Sequence, residues 1–191
     1  MAEILLFHHA HGQTPGVLAF ADELREEGHT VHTPDLYDGK TFATLDEGIG
    51  YAKEVGFDTL LERGVRAADG LPNELVYGGM SLGVMPAQKL AQTRPGAKGA
   101  ILLHAAIPPS EFGGEWPAAV PVQIHFMEED EFGLEGDIDA ARELEKTVEG
   151  AELFLYAGDG HVFTDSSTPD YDEDAATVVK QRVRAFLEGV Q

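Results

Sequence analysis

The sequence predicts an α/β fold with a mostly parallel sheet covered by helices on both faces. Two observations carry this. Short apolar runs, read as strands buried on both faces, alternate along the whole chain with segments of helical periodicity. Glycine, proline and acidic clusters mark the joints between them, with no repeat, low-complexity tract or linker to divide the chain. At 191 residues, one domain spanning residues 1–191 is expected.

Residues 3–9 form the first apolar run. Thr14-Pro15 then reads as an N-cap with proline at the first helical position, and Val17, Phe20, Ala21 and Leu24 keep the i, i+3, i+4, i+7 spacing up to a C-capping Gly28. Residues 30–33 are a second strand, stopped by Pro34, and residues 45–68 are helical in two pieces broken near Gly56. A third strand over 74–77 runs into Gly78-Gly79-Met80-Ser81-Leu82-Gly83, followed by a helix over 81–92. Strands are expected at 100–104, 122–127 and 153–156, with a helix near 137–148 between the last two. Ala176, Val179, Val183, Phe186 and Leu187 form the apolar stripe of a final helix. Residues 107–118 and 165–174 are expected to be loops.

Composition excludes several functions. Thirteen Lys+Arg against 34 Asp+Glu leave a net charge of −21, which gives a phosphate backbone or an anionic membrane surface no basic face to bind. Zero cysteines exclude a disulfide framework, a thiolate metal site and a thiol nucleophile. No apolar run approaches the roughly 18 residues of a membrane helix, and the first residues lack the basic start of a signal peptide, so a cytoplasmic protein is expected. The composition is compatible with a monomer. If the acidity reflects a salty milieu, the melting temperature will rise with added salt as self-repulsion is screened. An unchanged melting temperature between low and molar salt would contradict that.

Gly79-Met80-Ser81-Leu82-Gly83 has the G-x-S-x-G form of a nucleophile elbow, in which a serine at a strained strand-to-helix turn is held above the sheet. Side chains two residues to either side would clash, and glycines relieve this. A serine needs a base, and the base a carboxylate to orient it. In this arrangement the chain order is nucleophile, acid, histidine. Of the downstream histidines, His104 and His125 fall at or inside predicted strands, whereas His161 lies in the loop after the last one. The acid is expected in Glu128-Glu129-Asp130-Glu131, after the strand over 122–127, with Asp130 favoured and Glu129, Asp137 and Asp159 as alternatives. Oxyanion donors are expected from the backbone N–H of Leu82 and of Ala10, in the loop after the first strand.

His8, His9 and His11 invite a metal reading, since His9 and His11 share a face of an extended segment, but no close aspartate completes the motif and no metal is assigned. His8 reads as strand-end packing, with His9 and His11 lining the mouth of the pocket. Met80, Trp116, Phe132 and Phe163 are candidate pocket walls. A phosphate-binding G-x-x-x-x-G-K-[ST] and a G-x-G-x-x-G after the first strand are both absent, which argues against a nucleotide site.

The sequence resembles the dienelactone hydrolase family of the α/β hydrolases over essentially its whole length. The resemblance rests on Phe7-His8-His9-Ala10-His11-Gly12, Pro34-Asp35-Leu36-Tyr37, the elbow at Ser81, Asp130 after its strand, Gly160-His161-Val162-Phe163, and the small size without a lid domain. It implies an α/β-hydrolase fold and cleavage of a small ester or lactone through an acyl-enzyme, with no cofactor and a triad of Ser81, Asp130 and His161. Three departures stand out. Type members use cysteine where this chain has Ser81. They carry a glutamate where the resemblance places His9, and an arginine for the substrate carboxylate shortly after the histidine, where this chain has Thr164-Asp165. The last departure predicts a neutral substrate rather than a carboxylated lactone. Two rivals remain: a non-catalytic binding module, which would not be covalently labelled at Ser81, and a metal hydrolase using His9 and His11, which a chelator would silence.

Overall fold

Six strands, β1 (Glu3–Phe7), β2 (Thr30–His32), β3 (Val76–Met80), β4 (Gly99–Leu103), β5 (Val122–Met127) and β6 (Ala151–Tyr156), form one sheet in the order β2-β1-β3-β4-β5-β6. Every neighbouring pair is parallel. The computed structural model describes residues 1–190; Gln191, the last residue of the expected domain, lies outside them. The helices are α1 (Pro15–Glu26), α2 (Leu45–Val55), α3 (Phe57–Arg66), α4 (Val84–Thr93), α5 (Ile138–Thr147) and α6 (Glu173–Gly189).

Alternation along the strands divides the core in two. Leu5 and Phe7 of β1, with Leu102, Ile124 and Phe126, pack against α2 to α5 through residues such as Ala52, Leu60, Leu90 and Leu144. Ile4 and Leu6, with Val76, Ile101 and Leu103, pack against α1 and α6 through Val17, Phe20, Val183 and Leu187. Both faces of the sheet are therefore covered, which is why its strands read as continuous apolar runs. Local signals fix the helix ends. The Thr14 hydroxyl accepts from Val17 N–H, Thr44 and Glu47 form a reciprocal capping box, and the break between α2 and α3 falls at Gly56.

Most boundaries differ from the sequence expectation by one or two residues, and three of the differences are instructive. β3 runs on through both glycines to Met80, because it is central and pairs along its length with β1 and β4, which outweighs glycine's low strand preference. Ser81–Gly83 forms a 3-10 turn, and the α-helix begins only at Val84. β6 starts two residues earlier than predicted, at Ala151.

The chain leaves β1 toward β2 on one side and returns through β3 on the other. The strand order therefore reverses at β1, and the crevice beyond the carboxyl ends of β1 and β3 is where open α/β sheets take their ligands. Among the described residues no helix is long and apolar enough to cross a membrane.

Candidate active site

Ser81 follows β3 directly, at the reversal point, with φ at +50°. A non-glycine residue there stores about 1 to 2 kcal/mol of backbone strain, which the surroundings must enforce. The enforcement is steric. A Cβ on Gly79 would run into the Gly83 carbonyl oxygen, and one on Gly83 would come within 2.5 Å of the Phe7 carbonyl and 2.6 Å of the His8 carbonyl. The two glycines thus let β3 turn sharply into α4 and let that turn press against the end of β1.

The Ser81 hydroxyl donates to His161 Nε2 at 2.7 Å, and His161 Nδ1–H donates to Asp130 Oδ2 at 2.8 Å. His161 comes from the loop after β6, and Asp130 sits three residues beyond β5. Asp130 is 1 % exposed, and its other oxygen accepts from Phe132 N–H at 3.0 Å. The two bonds together hold both carboxylate oxygens in place. Of the four acids weighed from the sequence, only Asp130 bonds His161. Asp137 instead accepts from Ala106 N–H at 3.3 Å, and burial pushes its carboxyl above the ordinary range. Glu129 and Asp159 line the cleft.

That cleft, of about 550 Å³, opens over Asp130 and His161. Its walls carry Glu129, Glu131, Asp159 and Asp170, with no lysine or arginine, and Phe132, whose ring centre lies 4.6 Å from that of His161. Leu82 is the second residue of the turn that Ser81 begins, and Ala10 lies in the buried turn after β1.

Other expected pocket residues lie elsewhere. His9 and His11 are buried, 0 % and 4 % exposed, and face inward instead of lining the cleft mouth. Met80, Trp116 and Phe163 are buried and line no part of the cleft; Trp116 Nε1–H donates to the Val120 carbonyl at 2.6 Å, and Phe163 packs edge-on against His104 at 4.8 Å. The physical reason is common to all three: an apolar side chain near a site is as well satisfied in the core as on a wall.

A second histidine–carboxylate pair lies beneath the first. His9 Nε2–H donates to Asp165 Oδ2 at 2.6 Å, with both side chains fully buried. These are two of the residues that the sequence resemblance set apart as departures, and they are direct partners. Sequence reading noted each and missed the contact, whose only signal was a basic and an acidic residue departing together. His9 Nδ1 accepts from His11 N–H at 3.3 Å, so neither ring nitrogen of His9 is free for a metal. Among the described residues no three His, Asp or Glu side chains are arranged to hold one.

The model of the dienelactone hydrolase family matches residues 2–190. No curated protein matches the sequence. Among solved structures, a dienelactone hydrolase-like promiscuous phosphotriesterase from metagenomic libraries is 16% identical, with a TM-score of 0.77 over 100% of this chain and 87% of that one. A dienelactone hydrolase from Anabaena variabilis is 19% identical, with a TM-score of 0.70 over 100% and 87%. A hyperthermophilic esterase from Pyrobaculum calidifontis is 16% identical, with a TM-score of 0.70 over 99% and 75%. At such identities these likenesses concern the α/β-hydrolase fold. The family match spans nearly the whole chain, and the protein accordingly belongs to the dienelactone hydrolase family of hydrolases.

Proposed function

We propose that this chain is a serine hydrolase that cleaves a small, neutral ester or lactone through an acyl-enzyme. The observation that carries the reading is the unbroken series of Ser81 hydroxyl, His161 imidazole and Asp130 carboxylate, joined at 2.7 and 2.8 Å. A binding module has no use for such a series.

In the proposed reaction Ser81 Oγ attacks the acyl carbon while its proton passes to His161 Nε2. The N–H groups of Ala10 and Leu82 stabilise the oxyanion. As the intermediate collapses, the bond from carbon to the leaving oxygen breaks, and His161 returns the proton to that oxygen. Water then attacks the acyl-enzyme with His161 as base, the carbon–Oγ bond breaks, and the released proton restores Ser81. Asp130 holds the imidazole in the Nδ1–H tautomer and stabilises the imidazolium.

We infer the substrate class from the acidic cleft beside His161 and Asp130. A substrate carboxylate would meet Glu129, Glu131, Asp159 and Asp170 with no cation to pair it. One such neighbour at ~4 Å opposes it by about 1 kcal/mol in water and by more in a cleft that excludes solvent. A neutral aryl ester is therefore expected to be hydrolysed at least about tenfold more efficiently than its carboxylated analogue at low salt, with the gap narrowing as salt screens the rim. Turnover of the neutral ester is expected to survive dialysis against a chelator. Efficient cleavage of a carboxylated lactone, or loss of turnover with the chelator, would sink the reading.

A further inference from the structure

The two peptide groups that flank Ala10 are each gripped by a buried imidazole. The His9 carbonyl accepts from Gly12 N–H at 3.0 Å and from His8 Nδ1–H at 2.8 Å. His8 must carry its proton on Nδ1, because its Nε2 accepts from Leu36 N–H at 2.9 Å. In a trans peptide the N–H points opposite to the C=O, so fixing the His9 carbonyl fixes the direction of the Ala10 N–H. One peptide further on, His11 N–H donates to His9 Nδ1 at 3.3 Å. His9 therefore carries its proton on Nε2 and gives it to Asp165 Oδ2. Neighbouring histidines thus hold opposite tautomers, each with both nitrogens in use.

Asp165 is built to keep its half of this arrangement. It is fully buried; Oδ2 also accepts from the Thr14 hydroxyl at 2.5 Å, while Oδ1 accepts from Ser167 N–H at 2.7 Å and from the Ser167 hydroxyl at 2.6 Å. Burial alone would raise its carboxyl, yet the bonds from His9, Ser167 and Thr14 hold it well below the usual carboxylate range. Burial likewise keeps His9 neutral. Asp165 lies four residues after His161, so the loop that carries the base also braces the turn that carries Ala10.

We propose that His8, His9 and Asp165 are positioning residues that aim the Ala10 amide at the oxyanion, with Asp165 acting by setting the tautomer of His9. This rests on the serine-hydrolase reading above. Asp165→Asn tests it with little change of shape. The Ser167 backbone N–H cannot invert, so the asparagine oxygen turns toward it and the amide N–H₂ faces His9. His9 must then move its proton to Nδ1, where it opposes the His11 N–H donor to donor.

The experiment combines ester kinetics with nitrogen-15 NMR of histidine-labelled protein. For Asp165→Asn the expected result is His9 protonated on Nδ1 and kcat lower by about 10²-fold with KM nearly unchanged, since an oxyanion donor acts in the transition state. His8→Leu is expected to lose kcat to a similar degree. His8→Asn, whose amide nitrogen takes the place of Nδ1, is expected to recover most of it. Parent-like kcat in Asp165→Asn and His8→Leu, no recovery in His8→Asn, or an unchanged His9 tautomer in Asp165→Asn would overturn the proposal. If Asp165→Asn does not fold, the His8 pair alone decides it. Activity persisting in Ser81→Ala would instead sink the hydrolase reading.

Discussion

Ser81→Ala is expected to lower kcat on a neutral aryl ester by about 10⁶-fold, and His161→Ala by nearly as much, because in the proposed mechanism each acts only as part of one proton-transfer unit. The double variant is then expected to be little worse than either single one. That non-additivity is the signature of the triad; two independent contributors would multiply. Asp130→Asn leaves the imidazole in place but reverses its tautomer, since an amide N–H₂ facing Nδ1 would move the proton to Nε2, opposite the Ser81 hydroxyl. A loss of about 10⁴-fold is expected. Steady-state kinetics on the four variants decide the matter. If Ser81→Ala retained a tenth of parent activity, the nucleophile would be wrongly assigned.

The second large effect is on stability in mild acid. Burial lowers the His8 imidazole to about 4 and that of His125 to about 3, holds His104 well below its usual value, and lowers His9. All four are neutral in the folded protein near neutral pH, whereas in the unfolded chain they titrate near 6.5. As pH falls from about 6.5 toward 4, the unfolded chain binds up to four more protons than the native one, so stability present above 6.5 is lost on acidification. Each proton amounts to about 1.4 kcal/mol per pH unit, and four together to about 5.5 kcal/mol per unit. A domain is stable by only about 5 to 15 kcal/mol in all. Unfolding is therefore expected by about pH 5, with an uptake of several protons. Protonation of most carboxylates, which relieves the net charge of −21, is centred near pH 4, below the range in which the histidines act. Urea midpoints measured from pH 7.5 to 5 test this; equal midpoints across that range would contradict it.

The sheet was legible because buried parallel strands leave uninterrupted apolar runs and because Thr14, Pro15, Gly28 and Gly56 punctuate the helices at their observed ends. The candidate site was legible where chain order and loop position suffice to bring residues together, as for Ser81 and His161. Asp130 stood among four consecutive carboxylates, and choosing it required the point at which β5 ends. What the sequence could not convey is pairing across distance. His9 and Asp165 are 156 residues apart and read separately as a pocket residue and a departure from pattern. His125 belongs to a similar chain: Arg182 donates to the Tyr156 hydroxyl, which donates to His125, which donates to Gln123. Each of these residues is unremarkable in sequence, and their partnership exists only once β5, β6 and α6 are packed.

The most direct test is covalent labelling with a fluorophosphonate, with the adduct located by mass spectrometry in the native protein, Ser81→Ala and His161→Ala. A single adduct on Ser81, absent from both variants, is the expected result. No adduct on Ser81 in the folded native protein, or undiminished labelling in His161→Ala, would contradict an activated serine and with it the proposed mechanism.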